Sequence, residues 1–339
     1  MACLKICATV IHLQSAIIRS LINYLTTHVS ETFVKNNFIG LIGAILLVSG
    51  SLISVPTMAE EEQSAPAPPD TEIHLFDIGI KDGEYVLHKG RNISNNKGYD
   101  NQPFFTDKDQ SILFVSVKDG KQSDVYEYHL ETSKLEQITN TEHSEYSPKT
   151  YAANDKVTFV SEGGNPYQTV WAQDRKDGNS QWLLNSKEPV GYYATNEKTS
   201  EVLFWSRYGW SLQYLNLEKN MARFVSGNAL PSSPQRVPNS DLFSFVHRQT
   251  NSEVWIKVFD PKDFSITPIA PIYDANYEYS WAPNGDILRF KDNRIQVWPH
   301  KSKGYRWQNG QDLSDYFKGK AGRLKISHSG KHAAVVENR

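Results

Sequence analysis

The stretch ILFVS, Ile112 to Ser116, decides the fold because it recurs along the chain. Its counterparts are VTFVS at 157–161, VLFWS at 202–206, FSFVH at 243–247, LRFKD at 288–292 and AAVVE at 333–337. The central residues, Phe114, Phe159, Phe204, Phe245, Phe290 and Val335, lie 45, 45, 41, 45 and 45 positions apart. A period of this length, built on short apolar strands, is the mark of propeller blades. Downstream of the landmarks come DVYEYHL from Asp124, TVWAQDR from Thr169, SLQYLNL from Ser211, EVWIKVF from Glu253 and RIQVWPH from Arg294. Their period-two alternation is that of half-buried strands. Further short strands follow at KLEQIT (134–139), QWLL (181–184), ARFVS (222–226) and YRW (305–307), giving about four strands per unit, the content of one blade.

The sixth unit stops after its early strands, between Leu324 and Val336. Its complement stands at the other end, in EIHLFD (72–77) and EYVL (84–87). Joining the two halves pairs sheet edges that an open array would leave exposed. The expected fold is therefore all-β: a six-bladed β-propeller of four-stranded blades over residues 73–339, its last blade closed by pairing N-terminal and C-terminal strands. Composition agrees, with 8 Trp, 17 Tyr and 15 Phe favouring strands and only 3 Met.

A formal charge of −2, with acids and bases dispersed, offers no basic stripe for a phosphate backbone, so nucleic acid is not an expected partner. The two cysteines, Cys3 and Cys7, lie outside the propeller, which excludes thiol chemistry there. Phe38 to Val55 is an uncharged apolar run after Lys35, and small residues follow it. That pattern predicts a signal peptide over 34–59 with cleavage after Ala59; a retained anchor is the competing reading, since such a run can just span a bilayer. Residues 1–33 read as an extra or spurious extension, with Val34 as an alternative start. Residues 60–72, EEEQSAPAPPDTE, read as a disordered acidic and proline-bearing linker. Cleavage leaves 33 basic and 37 acidic residues, a mildly acidic protein expected in the periplasm or secreted, without a stable membrane span.

Asp107-Lys108-Asp109-Gln110 precedes the first landmark where other units carry Asn154-Asp155-Lys156 or Pro283-Asn284-Gly285-Asp286, residues suited to tight turns. An EF-hand loop starting at Asp107 would need Gly at the sixth place, where Ile112 stands. These acids are read as turn residues. His328 and His332 flank another such turn and are expected on the surface.

QPFFTDKDQSILFVSVKDGKQSDVYEYHLETSKLEQIT, Gln102 to Thr139, resembles the repeat of TolB-like six-bladed propellers. WAPNGDIL (281–288) and ISHSGKHAAVV (326–336) echo its strand-turn-strand opening. The resemblance spans about 72–339 and implies an extracytoplasmic platform for protein contacts, although TolB itself carries a further N-terminal α/β domain. The blades also resemble the propeller of prolyl-oligopeptidase-type peptidases. Those enzymes add a hydrolase domain with a Gly-x-Ser-x-Gly elbow; the nearest match here, Gly209-Trp210-Ser211-Leu212-Gln213, lacks the last glycine and reads as part of a blade.

In a propeller the innermost strands line a central channel, and the segments entering them form a rim where several blades converge. Eleven residues before the landmarks stand Pro103, Pro148, Tyr193, Pro234, Tyr279 and Leu324. Just upstream lie the candidate binding residues: Asp100, Asn101 and Gln102; Glu145 and Tyr146; Tyr192; Tyr277 and Glu278; and Arg323. Carboxylates, amides and tyrosines make a recognition collar. No His-Glu-x-x-His, phosphate loop or other catalytic motif occurs, so the expected protein is a monomeric, non-enzymatic scaffold without metal or cofactor, binding a protein or peptide of the envelope. The alternatives are a lactonase-like or glycan-cleaving enzyme using Asp100, Glu145 and Glu278, or a sensor for a glycan or small ligand.

Overall fold

The computed structural model describes residues 69–339 except 119, 121, 164–166, 185 and 301–305. The expected signal peptide, its cleavage site and the N-terminal extension lie outside the described residues. Twenty-four strands among those described form six antiparallel sheets of four, the six-bladed ring that the repeat predicts.

The chain enters through β1 (Thr71–Lys81) and β2 (Glu84–Asn92). Blade 1 follows with β3 (Asp100–Phe105), β4 (Ser111–Val117), β5 (Ser123–His129) and β6 (Leu135–Gln137). Blade 2 holds β7 (Glu145–Tyr151), β8 (Lys156–Ser161), β9 (Thr169–Asp174) and β10 (Ser180–Trp182). Blade 3 holds β11 (Val190–Asn196), β12 (Glu201–Ser206), β13 (Ser211–Asn216) and β14 (Met221–Ser226). Blade 4 holds β15 (Gln235–Arg236), β16 (Phe243–Arg248), β17 (Val254–Phe259) and β18 (Ile266–Ile272). Blade 5 holds β19 (Ser280–Trp281), β20 (Ile287–Lys291), β21 (Arg294–Trp298) and β22 (Gln308–Asp312). The last strand of blade 5 thus begins just after Trp307, not within the expected YRW. The chain returns through β23 (Lys320–Ile326) and β24 (His332–Asn338), and blade 6 has the order β2-β1-β24-β23.

Seven residue pairs join β1 to β24, from Thr71 opposite Asn338 to Asp77 opposite His332. β1 starts ahead of the expected Ile73, and Thr71 and Glu72 are already buried in it. The Glu72 carboxylate, 1% exposed, accepts hydrogen bonds from Ser94 Oγ at 2.6 Å and Asn92 Nδ2 at 2.9 Å, and pairs with Arg339 Nη1 at 2.8 Å. A buried charge needs this many partners, because an isolated carboxylate in a protein interior is strongly unfavourable.

The core lies between neighbouring blades, and the repeated landmark fills it. Phe114 packs with Ile73, Leu75 and Val336 of blade 6, Phe159 with Leu113, Val115 and Val125 of blade 1, and Phe204 with Val160 and Val170 of blade 2. Phe245 joins Leu203 and Leu212 of blade 3, and Val335 joins Leu288, Ile295 and Val297 of blade 5. Each such side chain contributes about 1.5–3 kcal/mol by leaving water. Blade 5 departs from the expected register. Its β19–β20 turn closes between Ala282 and Asp286, one residue tighter than Thr106 to Ser111 in blade 1. β20 is consequently shifted by one: Leu288 opposes Ser280 as Leu113 opposes Phe104. Arg289, not Phe290, takes the landmark position, and Phe290 packs toward Phe317 and blade 6. Arg289 is 1% exposed, paired with Asp274, donating to the Asn276 carbonyl at 2.6 Å, and 5.5 Å from the centre of the Trp307 ring.

The opening turn behaves as its residues predict. Asp107–Asp109 form one 3-10 turn inside a hairpin closed by Thr106 N–H to Ser111 O at 3.0 Å. The Asp109 carboxylate accepts the N–H groups of His328 and Ser329, both at 2.8 Å, tying blade 1 to blade 6. Ser211 opens β13, and its hydroxyl donates to Glu188 at 3.2 Å. His328 is exposed as expected, whereas His332 is half-buried. Among the described residues no helix is long and apolar enough to cross a membrane.

Candidate functional site

The six inner strands, β3, β7, β11, β15, β19 and β23, surround a central cavity of about 650 Å³. Successive side chains of a strand point to opposite faces, so alternate residues look inward. The first inward tier is Gln102, Ser147, Tyr192, Ser233, Glu278 and Arg323. Two residues further on, the second tier holds Phe104, Lys149, Ala194, Gln235 and Lys325, while blade 5 contributes Trp281 in place of Ser280. The inner hairpin turns, with Asp107, Glu197, Lys198, Asn239 and His328, line the far mouth.

Four blades reach this geometry through a bulge. Pairing slips between Val190 and Tyr192 in β11, between Ala321 and Leu324 in β23, between Asn101 and Phe104 in β3 and between Tyr146 and Lys149 in β7. Gln102 and Ser147, each followed by a proline, sit in the last two at φ 59° and 55°. Bulges re-aim side chains, and a left-handed non-glycine residue stores about 1–3 kcal/mol, so the surroundings must hold it. Here Gln102 Oε1 accepts the Ser147 N–H, and Ser147 Oγ donates to the Gly191 carbonyl at 3.4 Å, stitching blades 1, 2 and 3 around the channel. On the other side Gln235 Nε2 donates to the Tyr279 carbonyl at 2.6 Å.

In the first tier Arg323 donates to Glu278 at 2.6 Å and lies 5.6 Å from the centre of the Tyr192 ring. The second tier is different. Lys149 Nζ stands 5.1 Å from the ring centres of both Phe104 and Tyr193, and Lys325 Nζ stands 5.7 Å from Phe104 and 3.4 Å from Gln235 Oε1. Neither lysine forms a salt bridge among the described residues. Burial, then the charges of Lys325 and Arg323, pulls the Lys149 ammonium down to about 7, and burial pulls Lys325 down to about 8. Five basic residues line the cavity, Lys149, Lys198, Arg236, Arg323 and Lys325, against three acids, Asp107, Glu197 and Glu278.

Of the nine residues expected at the collar, Gln102, Tyr192, Glu278 and Arg323 line the cavity; Asp100, Asn101, Glu145, Tyr146 and Tyr277 do not. Asn101 accepts the Gln102 N–H at 2.7 Å and so supports the bulge. Tyr146 packs into the cores on both sides of blade 2, and Tyr277 into the core between blades 4 and 5. Asp100 and Glu145 open β3 and β7 and are both 0% exposed. The Asp100 carboxylate has no direct hydrogen bond, and burial pushes it up to about 6, against the influence of Ser116. Burial likewise pushes Glu145 up to about 7, opposed by hydrogen bonds from Thr141 and from Thr139, the latter at 3.0 Å. Both residues clasp neighbouring blades by their backbone: Thr71 Oγ1 donates to the Asp100 carbonyl and Ser123 Oγ to the Glu145 carbonyl, each at 2.8 Å. Among the described residues no three of His, Cys, Asp and Glu stand together as metal ligands.

Phe104, Lys149, Gln235 and Lys325 were not among the collar candidates, although each directly follows a position of the inner-strand register, Pro103, Pro148, Pro234 and Leu324. Alternation is the signal that finds them. If the residue before the register position faces inward, so does the residue after it.

No protein-family model matches the sequence, and no curated protein matches it. Solved structures do. A TolB-assigned protein from Agrobacterium tumefaciens superposes with a TM-score of 0.59 at 12% identity over 80% of this chain and 99% of that one. TolB from Acinetobacter baumannii gives 0.52 at 12% identity over 79% of this chain, which spans only 63% of that protein's length. An oligogalacturonate lyase solved in complex with manganese gives 0.53 at 15% identity, over 81% of this chain and 94% of that one. At such identities the likeness is one of fold, and the fold is a TolB-like six-bladed propeller.

Proposed function

We propose that this protein is an exported, monomeric, non-enzymatic propeller of the periplasm or cell envelope that binds a protein or peptide partner at its central channel. The observation that carries this reading is the separation of the three carboxylates an acid–base or metal-assisted reaction would have used. Asp100 and Glu145 are buried outside the cavity, and Glu278 is tied to Arg323 at 2.6 Å. What lines the channel instead is a contact surface: Tyr192, Phe104 and Trp281 for apolar area, with a charged pair at the entrance. The TolB-like fold supports the same reading by analogy only, because unrelated functions share this architecture.

The experiment is photo-crosslinking in cells with benzoylphenylalanine placed at Tyr192, and at Gln181 on the outer strand β10 as control. A discrete protein adduct from position 192, absent from 181, is expected. Equal or no labelling at both positions would remove the channel as a docking site.

One observation favours a second reading. An amine that ionises at about 7, as Lys149 does, is partly free base at neutral pH and has the character of a general base. A glycan-cleaving activity would appear as turnover of oligogalacturonate by the purified protein and its loss in Lys149→Met.

A further inference from the structure

The second tier of the channel sets two cations side by side with no anion between them. Lys325 on β23 and Lys149 on β7 come from the blades flanking blade 1, and both ammonium groups lie over the one Phe104 ring, at 5.7 and 5.1 Å. Each aligned aromatic contact offsets only about 0.5–2 kcal/mol, less than a partly desolvated cation loses beside another. The charged groups around them do not supply the missing partner. Arg323 above is a third cation, and Glu278 is engaged with it at 2.6 Å. Arg236, Lys198 and His328 lie toward the far mouth, where Asp107 and Glu197 are the acids; Tyr192 faces in from β11, β3 contributes Phe104, and the Tyr193 ring, buried in the core between blades 2 and 3, lies 5.1 Å from Lys149 Nζ. The rest of the chain runs the other way, since the segment beyond residue 59 carries 37 acids against 33 bases. A cationic centre inside an acidic protein focuses its field on an incoming anion.

We propose that Lys149 and Lys325 form an anion site at the second tier of the channel, which holds a carboxylate of a short acidic peptide segment entering past Tyr192 and the Glu278–Arg323 pair. This rests on the peptide-binding reading above and adds the chemistry of the ligand. The cavity of about 650 Å³ lies within the ~300–1,000 Å³ of small-ligand sites, so it takes a few residues and not a folded domain. A lysine pair left unpaired in the free protein gains its counterion on binding. Binding therefore raises the affinity of both amines for protons, and the complex takes up protons where the free amines are partly neutral, around pH 7 to 8.

Isothermal titration calorimetry of the full propeller with acetyl-(Glu)4-amide, acetyl-(Gln)4-amide and tetragalacturonate tests the site. Measurements at pH 8 in Tris and in HEPES separate proton uptake from binding heat. The glutamate peptide is expected to bind at least tenfold tighter than the glutamine peptide, with net proton uptake. Lys149→Met and Lys325→Met should each weaken it at least tenfold, and Lys149→Met should abolish most of the uptake. Neither variant should lower Tm, since each removes an uncompensated cation; Lys149→Arg should keep binding and lose the same share of the uptake as Lys149→Met. Equal affinity for the two peptides, or unchanged binding in both methionine variants, overturns the site. Tetragalacturonate binding tighter than the glutamate peptide overturns the peptide as its ligand. An adduct at position 192 together with Lys-independent peptide binding sinks this inference and leaves the scaffold standing. Lys-dependent peptide binding without any adduct keeps the anion site and removes only the claim that a protein of the cell docks at Tyr192.

Discussion

Replacing Asp100 by Asn separates a structural acid from a functional one. In the unfolded chain this aspartate ionises near 3.8, and in the fold only near about 6, because the carboxyl is wholly buried at the head of β3. Between those pH values the native state holds a proton that the unfolded state has released, so stability falls as pH rises. At about 1.4 kcal/mol per pH unit the loss is about 3 kcal/mol, complete by pH 7. The amide introduced by D100N would keep the shape without the charge, and it can donate to the hydroxyls of Ser94 and Ser116 nearby. D100N is therefore expected to match the wild type at pH 4 and to exceed it by about 3 kcal/mol at pH 8, some 5 °C in Tm for a domain of this size. Urea denaturation followed by tryptophan fluorescence from pH 4 to 8 measures it. Glu145, held up at about 7, carries the same dependence from about 4.5 upward, so D100N/E145Q should fall less steeply with pH than either single variant. A D100N protein no more stable than wild type at pH 8, or equally stabilised at pH 4 and 8, would refute the account of a buried carboxylate poorly compensated by its surroundings.

Arg323→Met should destabilise by about 1–3 kcal/mol, less than a fully buried pair because Arg323 and Glu278 keep 15% and 20% exposure, and R323M/E278Q should recover most of it; chemical denaturation of the cycle decides. Arg289→Ala should lose about 3–5 kcal/mol by orphaning Asp274 and emptying the landmark position, whereas Arg289→Phe, which restores the repeat's residue, should lose clearly less. Glu72→Ala removes the acceptor shared by Ser94, Asn92 and Arg339, and hydrogen exchange should report loosening of β1 and β24 ahead of the other blades.

The ring was legible because its signal is repeated: six landmarks, each backed by an alternating strand, outweigh any local irregularity. The complementary half-units at the two ends gave the closure for the same reason. The slip in blade 5 was not legible, since removing one turn residue moves Arg289 into place while Phe290 beside it still satisfies the pattern. The site was half legible. Gln102, Tyr192, Glu278 and Arg323 follow from the inner-strand register, but Asp100 and Glu145 precede the bulges, and there the strand still belongs to the contact between blades. Sequence spacing carries no sign of which residues a bulge turns inward. The lysines were missed for a different reason: a single Lys, after Pro148 or after Leu324, looks like surface, and only the ring brings Lys149 and Lys325 together.

The clasp of blade 6 has a consequence in time. Thr71 pairs with Asn338, so the first strand made waits for almost the last. At the usual ~5–20 residues per second of synthesis the delay is on the order of tens of seconds. Through that interval Ile73, Leu75 and Phe76, all buried in the finished ring, lack their β24 neighbours, and β1 offers an open edge to any passing strand. The molecule cannot be finished from its beginning: five blades can form while the sixth stays undone. Whatever shelters that first strand during its wait governs the yield of the whole.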